Sequence, residues 1–124
     1  QMAADPALIE KRTAWVDEFI RLLPLNIRER FAAAEGLSRN RDQMRLMLQT
    51  WLAFSRDLLL AHANRADHLT NQDHAADVTR LAKKAARQEI VAMLNEIDHA
   101  LELLEVNANL RLLLENLLLT IPGI

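Results

Sequence analysis

The sequence contains no cysteine, which excludes a disulfide framework, thiolate catalysis and every zinc or iron–sulfur site built on cysteine. Glycine occurs twice and proline three times, so the chain has few built-in breaks. The glycine-rich loops that cradle phosphates, GxxxxGK[ST] and GxGxxG, are both absent. Neither sign of charge dominates: 15 Lys and Arg stand against 17 Asp and Glu, a net charge of −2. That balance argues against a dedicated nucleic-acid-binding module, which meets the phosphate backbone with a basic excess. No apolar run reaches the roughly 18 residues of a membrane span, so a soluble domain is expected.

What is present is apolar surface. Hydrophobic residues make up 51% of the 124 residues and charged residues 26%, enough for one core without metal or disulfide support. The length predicts a single domain over residues 1–124. The opening pair Gln1-Met2 does not read as a natural start, and points to a fragment excised from a longer chain.

The periodicity predicts an all-α bundle of five to six helices. Asp5-Pro6 is a helix start, Asp5 capping and Pro6 filling the first position; Leu23-Pro24 ends that helix. A second helix restarts at Asn26, with Glu29 at capping-box spacing, and runs to Gly36 as its C-terminal cap. The third, capped at Asn40, carries Met44, Met47, Leu48, Trp51, Phe54, Leu58 and Leu59 at three- and four-residue steps to His62. After a polar connection, Thr70 or Asn71 caps a fourth helix with Val78, Leu81, Ala82 and Ala85. A fifth follows with Ile90, Met93, Leu94, Ile97, Leu101 and Leu104; near Ala86-Arg87 no glycine or proline separates it, leaving one bent helix as an alternative. Asn107-Ala108-Asn109 interrupts it. The last helix, Leu110 to Leu119, is apolar around most of its circumference, which predicts burial on several sides, and Ile121-Pro122 ends it.

Few residues are placed for chemistry. Ser38 and Ser55, the only serines, have no histidine at local spacing. Asp67, His68, Asp73, His74 and Asp77 gather imidazoles and carboxylates, though acidic residues in a first helical turn serve the helix dipole without any metal, and that reading is preferred. Arg28, Arg30, Arg39, Arg41 and Arg45 surround the turn between the second and third helices and invite a helix–turn–helix, DNA-binding regulatory alternative, which the long apolar third helix opposes. Arg56-Asp57 sets two charges within an apolar helix, at least one needing a partner: an intramolecular tie, with the Asn107–Asn109 turn as one candidate, or an inter-subunit contact.

Two segments, WLAFSRDLLL from Trp51 and NANLRLLLENLLLTIP from Asn107, are distinctive. They resemble the C-terminal domain of the bacterial DNA polymerase III delta-prime clamp-loader subunit, related to the gamma/tau collar domain. Trp51, Arg56, Asp57, Asn107, Asn109 and Arg111 carry the resemblance. It implies a cytoplasmic, non-catalytic collar domain following AAA+ domains. Such a domain uses no cofactor, metal or membrane. It assembles with gamma/tau and delta subunits and reaches the sliding clamp and primed DNA only through the whole complex. The five residues from Arg56 to Arg111 are then expected to shape a junction of the third and sixth helices, or to contact other subunits.

Overall fold

A computed structural model describes residues 6–107 and 109–124; the expected cap Asp5 and the middle residue of the Asn107–Asn109 turn lie outside them. Among the described residues the chain is all helix and turn. The helices are α1 (Pro6–Leu22), α2 (Ile27–Leu37), α3 (Arg41–His62), α4 (Ala75–Ala82), α5 (Arg87–Leu104) and α6 (Leu110–Thr120). Two 3₁₀ turns, Ala66–His68 and Gln72–His74, lead into α4.

Asparagine starts three of these helices. Asn26 Oδ1 accepts from Glu29 N at 2.9 Å while Glu29 returns a bond to Asn26 N; Asn40 accepts from Gln43 N at 2.9 Å; Asn109 accepts from Leu112 N at 3.0 Å. Each takes up an amide that the first helical turn leaves unpaired. α4 and α5 are separate helices. Ala86 is extended (ψ 152), and Glu89 Oε1 accepts from its N–H at 2.8 Å. A glutamate three residues ahead thus starts a helix that no glycine or proline announces.

Two expected boundaries and one expected burial pattern differ. Gly36 does not cap α2 but lies within it, and Ser38 Oγ closes that end by donating to Ala34 O. Nothing approaches a Cβ built on Gly36, so Gly36→Ala is expected to stabilise the domain by about 0.5 kcal/mol in urea melts. Neither Thr70 nor Asn71 caps α4, whose first residue is Ala75; both face a buried carboxylate that needs donors more. α6 is buried along one side only, through Leu113, Leu114, Leu117 and Leu118, while Leu112 and Leu119 stay about half exposed.

α3 is the central element. It packs most extensively on α5, then on α4 and α1, while α6 rests on α2 and α5. Trp51 lies at the heart of the core with its ring stacked on Phe19 of α1, centroids 4.8 Å apart; Phe54 meets the Phe19 ring edge-on at 5.9 Å. The Trp51 indole N–H donates to Trp15 O at 2.9 Å. Its polar atom is therefore satisfied inside an apolar shell.

Candidate functional site

The most elaborate polar arrangement belongs to Arg30, which is 3% exposed. Its guanidinium donates to five backbone carbonyls: Leu22 and Leu23 at the end of α1, and Leu118, Ile121 and Pro122 at the end of α6. The distances run from 2.7 to 3.1 Å. Among the described residues no carboxylate pairs with it. The negative ends of two helix dipoles offset its charge instead, and the planar fork of donors fits several acceptors at once. Burial lowers its pKa, but a guanidinium remains cationic at neutral pH. α6 has no basic residue in its own last turn, so α2 supplies its C-terminal cap.

The same logic recurs at α5, whose last turn also lacks a basic residue. Arg41, on the first turn of α3, donates to Leu104 O and Asn107 O. One turn on, Arg45 holds Glu105 through two bonds of 2.8 and 3.0 Å and Asp42 at 2.8 Å. The hydrogen bonds from Arg45 hold the Glu105 carboxyl below its ordinary value of 4.5. A depressed folded-state pKa means that the pair's contribution is complete above the ordinary value and lost as pH falls through the lowered one. A double-mutant cycle with Arg45→Gln and Glu105→Gln is thus expected to show coupling at pH 7 that is lost once the pH falls below the ordinary carboxylate range.

These contacts correct the reading of the basic cluster. Arg30, Arg41 and Arg45 bind helix ends and carboxylates of their own domain, and only Arg28 and Arg39 stand exposed. The feature that invited a DNA-binding helix–turn–helix reading is largely structural.

Asp57 is fully buried and Arg56, beside it, is exposed. The Asp57 carboxylate accepts from Thr70 N, Asn71 N and Asn71 Nδ2 at 2.7 to 2.8 Å. The tie therefore runs to the loop before α4, not to the Asn107–Asn109 turn. That turn sits by Arg41, sixteen residues back along α3 and hence ~24 Å away. Asn107 Oδ1 accepts from Asn109 N at 2.8 Å, an Asx-type closure that leads into α6. Arg111 is exposed and spans Glu115 at 3.1 Å on its own helix and Glu35 of α2 at 3.4 Å. The expected junction of the third and sixth helices does not form as a unit: α6 docks on α2 and α5, and the residues proposed to shape it belong to different contacts.

The histidine–carboxylate cluster divides likewise. His68 Nε2 lies 3.2 Å from Asp67, and Asp77 accepts from Arg80. His74 is buried, with Nε2 2.9 Å from Asp17 of α1 and Nδ1 3.5 Å from Asp73. Among the described residues no three such side chains converge in a way that could hold a metal ion. Ser38 and Ser55 both donate to carbonyls four residues back in their own helices.

Arg30 was the functional group that sequence reasoning placed wrongly. Its acceptors lie 7 and 8 residues away on one side and 88 to 92 on the other, beyond any local pattern. The only available signal was an arginine in register with the apolar Ala33, Ala34 and Leu37 on one face of α2.

Several apolar side chains also face outward. Leu112 and Leu119 are 49% and 51% exposed on one side of α6, and Val106, just before it, is 82% exposed. Among the described residues no helix is long and apolar enough to cross a membrane. No curated protein and no solved structure matches the chain. A family model does: that of the DNA polymerase III delta subunit, C terminal, aligns with residues 6–122, and on that match this clamp-loader domain belongs to the family.

Proposed function

We propose that the chain is the collar domain of a delta-prime-type clamp-loader subunit, a non-catalytic body that holds the subunit ring together during clamp loading. The family description names the delta subunit; the delta-prime assignment rests on the WLAFSRDLLL and NANLRLLLENLLLTIP segments. In this reading AAA+ domains elsewhere in the parent protein supply the ATP-driven motion. The protein works in the cytoplasm, uses no cofactor, and has gamma/tau and delta subunits as its immediate partners. Clamp and primed DNA are reached through the assembled complex.

One observation carries the reading. The outer side of α6 keeps Leu112 and Leu119 half exposed, with Val106 beside the helix start, on a domain whose polar interior is otherwise consumed. Apolar side chains placed at i and i+7 on an exposed helix form an anchor stripe for a neighbouring helix. Leu112→Glu/Leu119→Glu is expected to weaken co-assembly with gamma/tau and delta subunits at least tenfold in sedimentation or co-elution, while the thermal midpoint stays within a few degrees of wild type. Undiminished assembly by the double variant would remove the α6 stripe from the interface, and failure of the wild-type chain to assemble would remove the collar reading.

A further inference from the structure

A second surface is charged. From Val78 to Gln88 the chain has four basic residues, Arg80, Lys83, Lys84 and Arg87, and no acidic one. All four are exposed. Arg80 is held by Asp77 at 3.1 Å; among the described residues Lys83, Lys84 and Arg87 make no ion pair or side-chain hydrogen bond. Lys83 and Lys84 follow the negative C-terminal end of α4, which favours cations, whereas Arg87 opens α5, whose positive N-terminal end disfavours one.

The cations border a groove rather than a bulge. Two adjoining depressions, of about 410 and about 700 Å³, share Thr79 and Lys83 and run from the end of α3 across the outer side of α4. Ala61, Ala76 and Ala82 form much of the floor, and Arg80, Lys83 and Lys84 the rim. Methyl-sized side chains let a second helix approach to ~8 Å between axes.

We infer that this groove is the docking surface for an acidic, small-residue-faced helix on a neighbouring subunit. The assignment rests on the assembly reading above and supplies it with a second, electrostatic contact. Charge complementarity fixes the sign of the partner, and the alanine floor fixes its form. A nucleic-acid strand fits less well: no phenylalanine, tyrosine or tryptophan borders the groove, and His62 alone offers a ring for base stacking. Contacts of this kind set partner choice, register and association rate more than raw affinity.

The probe is an alanine–glutamate helical peptide with glutamates at i, i+4 spacing, titrated into the isotopically labelled chain, with the glutamine analogue and an oligothymidylate as comparisons. Amide shift changes are expected at Ala61, Ala75, Ala76 and Thr79, at least tenfold weaker with the glutamine peptide and abolished in Lys83→Glu/Lys84→Glu. Lys83→Arg/Lys84→Arg is expected to retain them. Because the substituted side chains are exposed, unchanged melting curves certify the variants' fold. Equal binding of both peptides, no shifts in these residues, or oligothymidylate binding there in preference to the acidic peptide would overturn the inference. The peptide result stands apart from subunit assembly, so failure of this groove and failure of the collar reading are separately visible. If the wild-type chain assembles, the Lys83→Glu/Lys84→Glu variant is further expected to associate with partner subunits at least tenfold more slowly at low salt, the difference narrowing as salt rises.

Discussion

Arg30→Ala is expected to cost the domain about 4 kcal/mol and to lower its melting temperature by about 15 °C. That cost reflects what the substitution leaves behind. Removing the guanidinium leaves the carbonyls of Leu22, Leu23, Leu118, Ile121 and Pro122 without their donor, and two helix C-termini without a counter-charge. A domain of this size is stable by only ~6 to 19 kcal/mol in total. Arg30→Lys separates charge from geometry: an ammonium restores the positive charge but has three donors and no planar fork, so about half the loss should persist. Urea melts with an unchanged slope would measure both. A loss below ~1 kcal/mol for the alanine variant would mean that water readily replaces the guanidinium.

Asp57→Ala is expected to cost about 3 kcal/mol. Three donors converge on that carboxylate, two of them backbone amides of the loop before α4, and a buried amide deprived of its acceptor incurs its full desolvation cost. Asp57→Asn retains one acceptor oxygen but turns an N–H toward an N–H, so about 2 kcal/mol should be lost. The substitution also makes a local statement. Amide exchange at Thr70 and Asn71 should quicken more than at Ile97 or Leu114, because the loop loses its anchor before the α3–α5 core opens. Uniform acceleration at all four amides would place Asp57 in the global core rather than at a hinge.

Both residues illustrate how the sequence could be legible in its elements and misleading in its polar contacts. The asparagine at the start of α3 and the apolar steps from Met44 to Leu59 speak through spacing alone, because capping and amphipathic burial act within one or two turns. The Arg56-Asp57 pair announced a buried charge, and one is buried. Its partner loop, thirteen and fourteen residues on, was the segment expected to cap α4, and the stronger demand of the carboxylate displaced that role. The five arginines near the α2–α3 turn looked alike in the linear chain. Three dimensions separate them into helix caps, an ion-pair holder and two exposed cations. On α6 the leucines predicted burial on several sides, but α2 and α5 cover only one side of it; leucine content reports capacity for burial, not the number of available neighbours.

The amino-acid order by itself determined that the chain is helical, where most helices begin, which stripes are apolar and, through two short segments, a resemblance to clamp-loader subunits. Those properties arise from interactions between residues a few positions apart, so they can be read one segment at a time. Only the tertiary structure decided which charges are enclosed, which helix ends Arg30 and Arg41 would close, and which leucines and lysines would face outward. Each of these depends on groups brought together from distant parts of the chain, where the desolvation of a polar atom and the presence of a matching donor or acceptor are settled together.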